Sequence, residues 1–103
     1  MQKTKRLELQ SKLEELLGSR NVYYQPPASV QMTYPAIRYS KARIDSKYAN
    51  NKKYLGKTLY DIVVIDPMPD NPVIEQILEL PLSSYDRWYA ADGLNHDSIK
   101  LYY

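Results

Sequence analysis

The chain has 103 residues, 44% of them hydrophobic, which fits a single domain over residues 1–103 and leaves no room for a second core. It contains no cysteine and one histidine, so a disulfide framework, a thiolate metal site and a cysteine nucleophile are excluded. No apolar stretch is long enough to cross a bilayer. We therefore expect a soluble protein made in the cytoplasm, with no cofactor, no metal and no membrane partner.

The net charge of +2 is divided unevenly along the chain. Residues 1–57 hold 12 of the 14 Lys and Arg and 4 of the 12 Asp and Glu, a net charge of +8, while residues 58–103 carry −6. This asymmetry indicates either polyanion binding by the first half or attraction between unlike faces of neighbouring copies. The sequence has 11 tyrosines, whose apolar ring and polar hydroxyl suit partly hydrated surfaces and protein interfaces. Some of them can instead pack on the faces of a small sheet.

The first predicted element is an amphipathic helix from Thr4 to Leu17, stopped by Gly18. Its apolar residues recur at helical spacing, and we expect this stripe to pack on the domain's own sheet; they are Leu9, Leu13, Leu16 and Leu17. Residues 22–24 follow as a short strand, which Pro26 and Pro27 end.

The next predicted strand covers residues 34–40, with Ile37 and Tyr39 on one face. The apolar parity reverses at Ala42, which indicates a bulge or the end of the strand. Residues 45–57 are polar, and Asn50-Asn51 tolerate positive φ, so we place the tip of a long basic hairpin there.

The remaining elements complete the fold class. Residues 59–65 are nearly continuous and β-branched, typical of a central strand covered on both faces. Asn71-Pro72 predicts the start of a helix that runs to Leu80. Strands at residues 84–91 and 96–102 flank a turn. The order predicts an α+β fold, with a small, largely antiparallel sheet of four to five strands and two helices on one face.

The acidic residues offer no convergent catalytic or metal site. His96 and Asp97 are adjacent in a strand and point to opposite faces, while Asp92 is explained by the turn. Asp61 and Asp66 differ in strand parity and form no carboxylate pair. The three glycines form neither a phosphate-binding loop nor a nucleophile elbow. We therefore expect that the protein is not an enzyme.

A basic segment with interleaved tyrosines is the strongest functional signal. Residues 38–57 carry seven Lys and Arg against one Asp. Cations neutralise phosphates and tyrosine rings stack on bases, so a single-strand nucleic-acid hairpin is one interpretation. The other is a solvated hairpin whose charge keeps the protein soluble. The candidate residues at its tip and arms are Tyr48, Asn50, Asn51, Lys52, Lys53 and Tyr54.

A second polar cluster lies in the last two strands, and we expect it to fix the last hairpin or a subunit contact. Its members are Asp86, Arg87, Asp92, Asn95, His96 and Asp97.

Several short motifs lie between residues 34 and 103. The first group is Tyr34-Pro35-Ala36-Ile37, Arg43-Ile44-Asp45, Ala49-Asn50-Asn51-Lys52, Tyr60-Asp61-Ile62-Val63-Val64-Ile65-Asp66 and Pro69-Asp70. The second group is Leu80-Pro81-Leu82, Tyr85-Asp86-Arg87, Ala91-Asp92, Leu94-Asn95-His96-Asp97 and Leu101-Tyr102-Tyr103. Together they resemble the tail-terminator, or tail-completion, proteins of tailed bacteriophages, which belong to the head-tail joining proteins. The N-terminal helix agrees in type only.

The resemblance implies a structural virion protein at the neck of a long-tailed phage. It implies a homo-oligomeric ring, hexameric in the family, that caps the tail tube and offers a docking surface to the head connector or stopper protein. The tip of the basic hairpin would face either DNA in the lumen or the neighbouring ring. A head-completion or stopper ring and a small single-strand nucleic-acid-binding module remain as alternatives.

Overall fold

The structure is a computed structural model that describes residues 5–44 and 57–103. Its elements are α1 (Lys5–Leu17), β1 (Val22–Tyr24), β2 (Ala36–Ile44), β3 (Thr58–Asp66), α2 (Val73–Leu78), β4 (Ser83–Ala91) and β5 (Leu94–Tyr102). The five strands form one sheet in the order β1-β2-β3-β5-β4. The strands pair antiparallel except for β1, which runs parallel to β2, so the sheet is mixed. The predicted α+β class is confirmed.

Helix α1 covers the sheet with the predicted leucine stripe. Leu9 and Leu13 are 0% exposed, and Leu16 and Leu17 pack against the same core. The helix ends where Gly18, at φ 80°, donates its N–H to the Glu14 carbonyl oxygen at 2.9 Å. Glycine adopts this left-handed conformation without the steric cost that a Cβ would impose.

Strand β3 lies at the centre of the sheet, as its β-branched sequence predicts. Tyr60, Ile62 and Val64 face the helices, and Val63 and Ile65, on the opposite face, are also buried. Burial on both faces explains why apolar residues run almost continuously here rather than alternating with polar ones.

The pairing of β2 with β3 contains the predicted irregularity. The register runs from Ala36 opposite Ile65 to Ile44 opposite Thr58, with a shift between Lys41 and Arg43. The bulge at this point is therefore confirmed. The predicted hairpin tip falls outside the described residues, so the long basic hairpin is not confirmed.

Helix α2 is shorter than the sequence predicts. It begins at Val73, whose N–H donates to the Asn71 Oδ1 at 2.9 Å, which is the capping role expected of Asn71. The helix ends at Leu78 instead of Leu80, because the Leu80 N–H donates to the carbonyl oxygen of Ile77, three residues back. Such a tightened last turn is common at helix ends.

The hydrophobic core fills the space between the two helices and one face of the sheet. Both helices therefore lie on one face, as predicted. The buried residues of the core are Leu9, Leu13, Val22, Ile37, Tyr39, Tyr60, Ile62, Val64, Val73, Ile77, Ile99 and Leu101.

The last two strands form a hairpin with a two-residue turn. Asp92 and Gly93 both have positive φ, 54° and 74°, which is the geometry that matches the twist of paired strands. Strand β4 is an edge strand and carries a register shift between Tyr85 and Arg87. Over residues 5–44 and 57–103, no helix is long and apolar enough to cross a membrane.

Candidate functional site

A shallow charged concavity of about 220 Å³ lies on the side of the sheet opposite to the helices. We call this surface the charged face. Its lining residues come from β2, β3, β4 and β5; they are Arg38, Ser40, Asp61, Val63, Asp86, Arg87, Tyr89, Ser98 and Lys100. Three cations and two carboxylates leave the charged face with one net positive charge.

The five charged side chains of this face differ in the partners that they contact. Lys100 forms an ion pair with Asp61, and Asp86 Oδ2 accepts a hydrogen bond from Ser98 Oγ at 3.2 Å. The Arg87 guanidinium lies over the Tyr89 ring, 5.5 Å from its centroid. Within the described part of the chain, neither Arg38 nor Arg87 has a carboxylate within ion-pair distance. No carboxylate of residues 5–44 and 57–103 therefore neutralises these two guanidinium groups.

Strand register places these two arginines in one row across the sheet. Arg38 is opposite Val63, Val63 is opposite Ser98, and Ser98 is opposite Arg87. Three strand spacings of about 4.8 Å each separate the arginine backbones by about 14 Å. Val63 and Ser98, which lie between the two arginines, are buried. The two arginines therefore lie on either side of a depression in the sheet surface.

A second groove, of about 510 Å³, lies on the helix side of the sheet between α2 and the β4–β5 hairpin. We call it the acidic groove. It is lined by three carboxylates and no Lys or Arg, together with apolar side chains; the residues are Asp70, Asn71, Pro72, Ile74, Glu75, Leu78, Tyr85 and Asp97. The two surfaces thus lie on opposite sides of one sheet and carry opposite net charge.

Edge strand β4 carries two exposed aromatic side chains, of which Tyr85 lines the acidic groove. Tyr85 is 46% exposed and donates its hydroxyl to Asp97 Oδ1 at 2.7 Å. This hydrogen bond, with smaller contributions from desolvation and from the charges of Asp97 and Asp86, raises the pKa of Tyr85 to about 12. Trp88 is 56% exposed and donates its indole N–H to Asn95 Oδ1 at 3.1 Å. Both aromatic residues are held by β5 while their rings remain open to contact.

The predicted second cluster is divided between the two faces. His96 stacks on Tyr89, with ring centroids 4.8 Å apart, and lies on the face opposite to Asp97. Asn95 Nδ2 donates to the carbonyl oxygens of Asp66 and Pro67, both at 3.2 Å. The cluster therefore makes cross-strand and loop contacts within the last hairpin, and its members do not converge on one atom.

The remaining members occupy separate positions. Asp86 and Arg87 line the charged face, while Asp92 belongs to the turn. The other predicted site residues, Tyr48, Asn50, Asn51, Lys52, Lys53 and Tyr54, lie outside the described residues.

Sequence reasoning missed the ion pair at the centre of the charged face and the acidic groove. Asp61 and Lys100 are 39 residues apart. Their opposite charges indicate a pair only when β3 and β5 are known to be neighbours, and that pairing is a property of the tertiary structure. Glu75 and Tyr85 join one groove only because α2 packs beside β4.

In the part of the chain that the structure describes, no group of three or more potential metal ligands comes together. Comparisons with protein-family models, with curated proteins and with solved structures returned no match.

Proposed function

We propose that the chain is a structural virion protein of a long-tailed phage that forms a ring, caps the tail tube and joins it to the head connector. The observation that carries this proposal is the pair of unlike surfaces, one net positive and one acidic, on opposite sides of one sheet. A contact between unlike surfaces of successive copies repeats head to tail and closes into a ring when the rotation allows it. The motifs of residues 34–103 supply the expected place, at the head-tail junction.

A ring that acts as a stopper or head-completion protein would use the same subunit contact. It differs in its neighbours along the tail axis, so labelling of its place in the virion separates the two roles.

A small single-strand nucleic-acid-binding module is the second candidate. It is favoured by Arg38 and Arg87, which have no carboxylate partner among the described residues, and by the nearby ring of Tyr89. Arginine and tyrosine together are typical of single-strand binding surfaces.

The decisive experiment is electron microscopy of the purified protein together with its mass in solution by light scattering. We expect closed rings, and antibody label at the head-tail junction of phage particles that contain the protein. A monomer that binds free oligonucleotide at sub-micromolar concentration, with strong salt dependence, would contradict the ring and support the nucleic-acid module.

A further inference from the structure

We infer that the charged face is a docking site for a second copy of this chain, which presents its acidic groove and the outer surface of α2. This inference depends on the proposed ring, because it names the two surfaces that would form the contact between its subunits. The ring proposal uses the presence of two unlike surfaces, and this inference adds the residues that would meet: Arg38 and Arg87 of one subunit, and Asp70, Glu75 and Glu79 of the next.

The two partner surfaces carry complementary charged groups. Arg38 and Arg87 lack carboxylate partners within the described residues, and Lys100 is already paired with Asp61. On the other side, Asp70 and Glu75 line the groove, and Glu79 is exposed at the end of α2. The described residues provide no ion-pair partner for these three carboxylates either. Complementary charge of this kind guides association and sets the register of an interface.

Both surfaces also expose apolar and aromatic side chains. The acidic groove exposes parts of Ile74, Leu78 and Tyr85 beside its carboxylates, and Trp88 adds an exposed ring on the same strand. The charged face offers the half-buried ring of Tyr89 beside Arg87, and the buried His96 supports that ring from below by stacking on it. Aromatic rings and arginine are enriched at the centres of protein interfaces. The contact therefore combines apolar area with charge pairs.

The placement of the two surfaces decides the symmetry of the contact. The charged face and the acidic groove lie on opposite sides of one sheet, so one subunit cannot bring its own two surfaces together. A two-fold dimer that used the charged face against itself would place arginines against arginines. The favourable pairing is heterologous, which gives a ring or an open chain rather than an isolated dimer.

The test uses two charge-reversal variants of the full chain. The first carries Arg38→Glu and Arg87→Glu, and the second carries Glu75→Lys and Glu79→Lys. The first variant alone presents two acidic surfaces, and the second loses the net negative charge of its α2 surface, so we expect the assembly of each to weaken about tenfold or more at 0.1 M salt, measured as the protein concentration at half assembly. Circular dichroism and thermal unfolding confirm that each variant is folded.

Mixing the two variants tests the contact most directly, because assembly should recover in the mixture. The reversed charged face of the first variant matches the reversed α2 surface of the second, and the unchanged surfaces match as well, so an alternating ring of both chains should form. A matched control for the second variant carries Glu8→Lys and Glu15→Lys, two exposed α1 positions with the same change of net charge as that variant. The control should assemble as the wild type does.

The outcomes separate this contact from the ring itself. If the wild type forms rings and either variant assembles equally well alone, or if both fail and their mixture does not recover, the contact is wrong and the ring remains. If the wild type stays monomeric, both proposals fail. If the first variant loses oligonucleotide binding while its mass is unchanged, the charged face is a nucleic-acid surface instead.

Discussion

Two exposed aromatic side chains of β4 are each held in place by one hydrogen bond. Tyr85 donates to Asp97, and Trp88 donates to Asn95, in both cases across the β4–β5 pair. A fixed ring loses less conformational freedom on binding than a free one. The exposed rings of Tyr85 and Trp88 are thus held in place before any partner binds.

Asp97→Asn should lower the pKa of Tyr85 from about 12 toward the ordinary value of 10, because the neutral amide no longer favours the protonated phenol. Since the pKa of Tyr85 is raised in the folded chain, the stability it contributes is present below pH 10 and is lost as pH rises toward 12. Titration of carbon-13 labelled tyrosine by NMR measures the pKa directly. Asp92→Asn, in the turn of the same hairpin, is the control and should leave it unchanged. A wild-type Tyr85 that titrates near 10 would contradict the hydrogen bond.

At the scale of elements, tertiary packing stabilises helix α1 more than its own sequence does. An isolated helix of 13 residues is marginal in water, and this one is fixed by the leucines it buries against the sheet. Gly18 ends the helix so that the chain can return to β1 beside the core.

Leu13→Ala should lower the free energy of unfolding by about 2–5 kcal/mol, because Leu13 is 0% exposed and its loss leaves a cavity. Urea denaturation measures this change. The matched control is Leu7→Ala in the same helix, where the side chain is 40% exposed and we expect a loss below about 1 kcal/mol. Equal losses at both positions would contradict burial of the stripe as the cause, since alanine is at least as good a helix former as leucine.

At the scale of the whole molecule, the unequal distribution of charge should make assembly sensitive to salt. An exposed ion pair contributes only about 0.2–1 kcal/mol, but a ring repeats each pair at every interface. Screening shortens the reach of surface charges to about 8–10 Å near physiological ionic strength. Aromatic contacts are less affected by salt and set the residual affinity.

Lys52→Glu with Lys53→Glu tests whether the basic segment outside the described residues adds to this attraction. We expect the double reversal to weaken assembly, to flatten its salt dependence and to leave the subunit folded, since lysine side chains are rarely part of a hydrophobic core. Light scattering across a salt series measures both effects. Lys12→Glu with Arg20→Glu gives the same change of net charge elsewhere and serves as the control. If test and control behave alike, net charge alone is responsible and the segment is not a subunit contact.

The sequence by itself determined the elements whose signals are local. The leucine spacing of α1, the β-branched run of β3, the parity change at Ala42 and the Asp92-Gly93 turn all predict what the structure contains. These features depend on residues within a few positions of one another, and backbone geometry converts such spacing into a helix, a strand or a bend.

Only the tertiary structure decided which distant residues meet. In the sheet order β1-β2-β3-β5-β4, β1 runs parallel to β2. The same order brings Asp61 next to Lys100 and places Arg38 and Arg87 in one row across the sheet. Packing of α2 beside β4 then completes the acidic groove on the other side. Local spacing cannot specify these contacts, because one strand pattern is compatible with several neighbours and registers, and burial of the shared core selects among them.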